Sequence, residues 1–244
     1  MRKVIIGIGI VLLLLIVAVG IFVATFNPNS YKATIQTKLE EQLNRKIQLG
    51  DMGLGLFPPR FRVANLAIAE DPAFKSNQPF VKTGELSISV QLMPLLHKSV
   101  QVDSLTLEQP HVELIKNAQG VWNFASLGQK TSSAPSSSSE QQEFSLGKLT
   151  IDDGQVAITD LQAHKPRTVY DHVNFELTDF APNKPFNIDA SVHLPGTGNQ
   201  QVQLQGTGGP LAHDNPAATP FKGALDLKDV DIAGLQKFLQ TSAL

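Results

Sequence analysis

The chain has 244 residues, 42% of them hydrophobic, and a formal net charge of −2 that becomes more negative once Arg2 and Lys3 are set aside. That balance creates no field attractive to polyanions, so nucleic-acid binding is excluded. Cysteine is absent, which excludes disulfide scaffolds, thiolate metal sites and cysteine nucleophiles and suits an oxidising compartment.

Residues 4–26 carry no charge and consist mainly of Val, Ile, Leu, Gly and Ala. At 1.5 Å rise per residue, a helix of this length spans a hydrocarbon core of ~30 Å. The apolar run continues past Gly20, whereas the apolar part of a signal peptide covers only about 7–15 residues, so a retained anchor is expected. Arg2 and Lys3 precede the run and the first cation after it is Lys32, which keeps the N-terminus cytoplasmic and exports the remainder. Asn27-Pro28-Asn29-Ser30 then breaks the helix and offers Asn29 or Ser30 as an N-cap for another. Tyr31, Ile35, Leu39 and Leu43 recur every four residues and predict an amphipathic helix whose apolar stripe covers one end of a β domain.

From Gly50 the period changes to two. Leu86, Ile88, Val90 and Leu92 alternate with Glu85, Ser87, Ser89 and Gln91, which predicts a strand with one buried and one wet face. Similar runs follow at Val100 and Val102, Leu105 and Leu107, Val112 and Leu114, and across 173–177 and 186–194. Two more lie at Val202 and Leu204 and at Leu225 and Leu227. Short strands at this spacing predict antiparallel hairpins. The phase change between Val102 and Leu105 predicts a bulge near Asp103 and Ser104.

The stretch 131–142, TSSAPSSSSEQQ, is too polar to pack and predicts a linker or surface loop. The expected organisation is therefore a cytoplasmic tip and anchor at 1–28, a first β unit at 29–130, the Ser-rich stretch at 131–142, and a second β unit at 143–244. A short helical pattern ends that unit at 233–239. The two units share a pattern: Leu105-Thr106-Leu107 with Val112-Glu113-Leu114 matches Leu149-Thr150-Ile151 with Val156-Ala157-Ile158. Gln109-Pro110 and Asp153-Gly154 fall at the intervening turn, so a strand–turn–strand element is used twice, 44 residues apart.

Signs of catalysis or metal binding are few. His97, His111, His164, His172, His193 and His213 are scattered, with no pair at the i, i+4 spacing of a helical metal site. No G-x-S-x-G elbow is present, and the Ser-rich stretch lacks apolar neighbours to hold a nucleophile. Asp152-Asp153 is followed by Gly154 and fits a hairpin turn better than a carboxylate pair. Asp226, Asp229 and Asp231 lack the Gly and terminal Glu of a calcium loop. The Gly-rich stretches at 50–55 and 206–210 lack the lysine and spacing of phosphate-binding loops. The expectation is a non-enzymatic protein with no cofactor and no metal.

Phe57-Pro58, Asn65-Leu66, Asp71-Pro72-Ala73-Phe74, Pro94-Leu95-Leu96, Gln109-Pro110 and Gly120-Val121-Trp122-Asn123 occur in this order over about a hundred residues. Together with the anchor and the stretch 26–32, this series resembles the N-terminal domain of the AsmA family. The resemblance implies a bacterial protein tethered in the inner membrane and projecting into the periplasm, in which β-strands form a groove that carries lipid acyl chains toward the outer membrane. The fold expected is mainly β with minor α: the transmembrane helix, one amphipathic helix, then antiparallel strands in an elongated curved sheet or groove. Candidate groove-lining residues are Leu86, Ile88, Val90, Leu92, Leu105, Leu107, Val112, Leu114, Leu149, Ile151, Val156 and Ile158. The same alternation would also fill a closed core, and both readings stay open. Membrane lipids are the expected partners. The alternative is an envelope assembly factor that binds a protein partner at its sheet edge. Larger members of the family continue past a second β unit, so the chain is expected to be a short member, a fragment or one piece of an assembly.

Overall fold

The computed structural model describes residues 27–56, 59–91, 102–128, 145–196, 198–212 and 218–231. The expected anchor, the Ser-rich stretch and the pattern at 233–239 lie outside the described residues. Among those described, no helix is long and apolar enough to cross a membrane.

A 3-10 turn, η1 (Pro28–Tyr31), leads into helix α1 (Lys32–Leu43). The cap falls earlier than expected: Asn27 accepts from Asn29 N with its side chain, while α1 itself has no side-chain cap. Asn29 has a different task. Its side chain accepts from Met52 N at 2.9 Å and donates to Met52 O at 3.2 Å, imitating a strand neighbour. The helix ends at Asn44, whose φ of 52° is the left-handed stop that Asn tolerates. Ile35, Leu39 and Leu43 pack, as their four-residue spacing predicts, onto Ile47, Leu49, Met52, Val63 and Leu66.

Eleven strands then form one sheet. They are β1 (Ile47–Gln48), β2 (Met52–Leu56), β3 (Pro59–Ile68), β4 (Val81–Val90), β5 (Val102–Glu108), β6 (His111–Lys116), β7 (Leu146–Asp160), β8 (Lys165–Phe180), β9 (Phe186–His193), β10 (Gln201–Gly208) and β11 (Phe221–Lys228). The order is β1-β3-β4-β5-β7-β8-β9-β10-β11, with β2 on β3, and β6 lying between β4 and β7 beyond the end of β5. Strands from both sides of the Ser-rich stretch therefore belong to one sheet. The expected bulge is present: Ser89 pairs Ser104 and Val90 pairs Val102, which leaves Asp103 as the extra residue.

Two expectations need correction. The sheet is not wholly antiparallel, because β5 and β6 both pair β7 in parallel. The repeat explains this directly. Leu105 pairs Leu149, Leu107 pairs Ile151, Val112 pairs Val156 and Leu114 pairs Ile158, so the 44-residue offset is the register of a parallel join between like strands. Parallel neighbours need a crossover of a dozen residues or more, and the chain from Lys116 to Leu146 supplies it. Nor is either repeat a hairpin. β5 and β6 run collinearly through Gln109-Pro110, and β7 runs straight through Asp153-Gly154.

What looked like turns is a transverse seam. Asn65, Gln109, Asp153 and His172 have φ between 45° and 50°, one on each of β3, the β5–β6 joint, β7 and β8. On β4 the corresponding residue is Gly84, opposite Asn65 in a register that runs unbroken from Ala64 to Leu66. A left-handed residue rotates the strand and reverses the inward phase. Val63 and Leu66 consequently share one apolar cluster, and Tyr170 and Val173 share another. Gly154 fits closely at the seam: a Cβ there would lie 3.0 Å from Ile151 Cγ2, 3.1 Å from Val173 O and 3.2 Å from Pro110 Cγ, so its neighbours would have to give way slightly.

Candidate functional site: an apolar face spanning the sheet

Cross-strand partners in a sheet project from the same face, so the register defines which side chains form continuous rows. One row runs Met52, Val63, Leu86, Leu107, Ile151, Phe175, Ala190, Leu204, Leu225. The row beside it runs Leu54, Phe61, Ile88, Leu105, Leu149, Leu177, Ile188, Gly206, Gly223. Each crosses nine strands without a polar residue. At a strand spacing of about 4.8 Å the rows extend roughly 40 Å. Where the second row ends in glycine, Phe221 lies over the gap, its Cζ 2.6 Å from where a Gly206 Cβ would stand.

Of the twelve candidates, Leu86, Ile88, Leu105, Leu107, Leu149 and Ile151 sit in the middle of these rows. Val90 flanks them, paired with Val102. Across the seam, Val112, Val156 and Tyr170 form a further row, and Leu114, Ile158 and Thr168 another. Leu92 lies outside the described residues. The eleven described candidates are all half-buried, none fully. Among the described residues, fully buried apolar side chains include Met52 and Val63 under α1, Tyr170, Leu194 and Val202, and also Phe80, Ile115, Leu146, Ala157 and Phe186. Helix α1 lies over the β2–β3 end of the sheet, and the 3-10 turn η3 (Asn123–Ser126) contacts β6. The apolar rows thus have a helical cover at the β2–β3 end, and in their middle, from Leu86 and Ile88 to Leu204, the side chains are half-buried.

Sequence reasoning missed the outer members of the rows. Phe175, Leu177, Ile188 and Leu204 carry the same alternation as Leu86 and Ile88, and that signal would have found them. Met52 and Leu54 were hidden because Gly53 and Gly55 supply the outward positions.

Polar chemistry gathers in two places away from the rows. Under α1, the buried Arg45 guanidinium donates through Nη2 to Asp71 Oδ2 at 3.2 Å, Asn123 O at 3.0 Å and Ser126 Oγ at 2.6 Å. Asn123, fully buried, donates to Glu70 Oε2 and Glu113 O and accepts from Ile115 N. The Asp71 carboxyl is held below its ordinary pKa, first by the Ser126 hydroxyl, then by Ala73 N and Arg45. Asp71 and Asn123, two of the residues that carried the family resemblance, thus meet in one buried knot that ties η2 (Pro72–Phe74) and η3 to the end of α1. On β6 and β8, Glu113 takes both Nε and Nη2 of Arg167, which raises the Arg167 pKa. The second place corrects the expectation of scattered histidines: His172 and His193 lie with ring centroids 4.7 Å apart.

The AsmA family model matches residues 1–234. The chain is 28% identical over 170 residues to the AsmA family protein YhjG of Escherichia coli (strain K12), a match that covers 62% of this chain and 24% of that protein. The chain therefore spans about a quarter of the length of this curated relative.

Proposed function

The chain belongs to the AsmA family, and from that premise we propose that its two apolar rows are a path for lipid acyl chains in the bacterial envelope. The observation that carries this reading is the continuity of the rows: nine strands contribute in register, and from β4 to β10 the side chains stay half-buried. An ordinary core closes on its apolar residues, because leaving them wet forfeits about 25 cal/mol per Å². A long apolar strip with a polar reverse side suits an occupant that is itself apolar and mobile along the strip. In this proposal the segment 4–26 anchors the chain in the inner membrane, the sheet stands in the periplasm, phospholipid is the cargo, and the protein does no catalysis.

The test places a photoreactive amino acid at Ile88 and looks for crosslinked phospholipid in cells. Crosslinking at Ile88, and none at Ser87 on the opposite face, is the expected result. Ile88→Asn should remain folded, because an amide on an open face is partly hydrated, and should reduce lipid crosslinking at neighbouring Leu105. Outright unfolding of Ile88→Asn, or undiminished crosslinking in the folded variant, would remove Ile88 from the path. Location is tested separately, with a phosphatase reporter after residue 231, which should be active only if that end is exported.

A second reading, an envelope assembly factor that binds protein by strand addition, is favoured by β11. Its eight residues are all exposed, and its one described partner is β10. Crosslinks from Leu225 to protein in place of lipid would support it.

A further inference from the structure

We propose that Asp171, His172 and His193 form a site for one divalent transition ion of the Zn²⁺ type, with Asp153 as a positioning residue. Their ligand atoms lie within 4.8 Å of one another. The backbone brings them together by a specific device. In a regular strand Asp171 and His172 would project from opposite faces, but the register of β8 on β9 shifts between Asp171 and Asn174, and His172 has a φ of 45°. This irregularity sets His172 beside Asp171, whose register partner is His193.

The proton positions follow from chemistry. An ionised carboxylate only accepts, so the 2.7 Å contact between His172 Nδ1 and Asp153 Oδ1 puts the proton on Nδ1 and leaves the Nε2 lone pair for a cation. A carboxylate behind a histidine orients the ring and raises its basicity as a ligand. Two imidazoles and one carboxylate suit Zn²⁺, whereas Mg²⁺ and Ca²⁺ prefer oxygen donors. Tetrahedral bonds of about 2.0 Å need ligands roughly 3.3 Å apart. Exposed side chains can close the remaining ångström or so, and His193 Nδ1 already stands 3.9 Å from Asp171 Oδ1. Val192 and Leu194, on either side of His193, join the apolar cluster with Tyr170, so the site occupies the polar face. A bound ion would staple β8 to β9 at the seam, and the lipid reading can fail without affecting it.

The experiment is calorimetric titration of the full-length chain in detergent, without a polyhistidine tag, using ZnCl₂ and, separately, MgCl₂. One equivalent of Zn²⁺ should bind, and Mg²⁺ should give no heat. His172→Asn, which keeps a residue tolerant of positive φ, and His193→Gln should each weaken Zn²⁺ at least about 10-fold. His164→Gln, at an exposed histidine on the β7–β8 turn, should bind as the parent does. Asp153→Asn should retain the stoichiometry, weaken Zn²⁺ by about 10–100-fold and leave the metal-free melting temperature unchanged. Unaltered Zn²⁺ binding in a folded His172→Asn and His193→Gln double variant would overturn the proposal, as would equal loss in His164→Gln or no Zn²⁺ heat in the parent.

Discussion

Arg45 shows how much of the architecture rests on single side chains. Its side chain is 4% exposed, and it joins the end of α1 to Asp71, Asn123 and Ser126. Arg45→Ala would leave Asp71 with only its Ser126 and Ala73 donors and take a donor from the buried Asn123 carbonyl, an arrangement that costs about 1–3 kcal/mol, and urea denaturation should register that loss. Asp71 gives the same knot a pH dependence. Its pKa is lower folded than unfolded, so its stabilisation is complete above the unfolded carboxylate value of about 3.9 and is lost as pH falls through the folded value. Melting temperatures of the parent and Asp71→Asn should differ in full at pH 6 and converge as the pH drops below about 4. None of this was legible beforehand: Arg45 carried no motif, and Asp71 and Asn123, 52 positions apart, meet only after folding.

At the scale of elements, the seam decides whether the apolar phase of each strand is preserved. Gln109 holds φ at 48° where β5 gives way to β6, and an L-residue pays about 1–2 kcal/mol for that conformation. Gln109→Gly should therefore be neutral or slightly stabilising, whereas Gln109→Val, β-branched and confined to extended backbone, should lower stability by about 1–2 kcal/mol. Chemical denaturation of the pair settles the comparison. Equal losses in both would mean that the Gln109 side chain, which reaches Asp153 Oδ2 at 3.5 Å, matters more than its backbone. The alternation of Leu105 and Leu107 and of Val112 and Leu114 was visible in the sequence, together with the Gln109-Pro110 break between them. Gln-Pro and Asp-Gly at such a break also mark hairpins, and only pairing partners distinguish a turn from a kink in a strand that continues.

For the molecule as a whole, a path behaves differently from a set of separate apolar patches. If lipid moves along the rows from β2 toward β11, a charge placed midway must interrupt everything beyond it. Leu149→Asp, on β7 at the parallel join, is expected to reduce lipid crosslinking from Leu204 on β10 about 10-fold while leaving crosslinking from Ile88 on β4 near the parent level. A carboxylate facing acyl chains costs several kcal/mol, ample for that factor. Equal loss at both positions would signal general unfolding, to be checked by circular dichroism, and no loss at either would mean that lipid does not pass Leu149.

By itself the sequence determined the β-rich class, the amphipathic helix ending at Leu43, the bulge at Asp103, the family and the two copies of the repeat, because local periodicity and short ordered motifs are properties of neighbouring residues. It could not determine what the repeat was for. That Leu105 lies beside Leu149, that Phe61 and Ile188 belong to one row, and that Asp171 meets His193 are facts of register, and register depends on the summed packing of strands brought together from distant parts of the chain. The tertiary structure alone turned isolated alternating strands into a continuous apolar face, because continuity exists only between strands and not along any one of them.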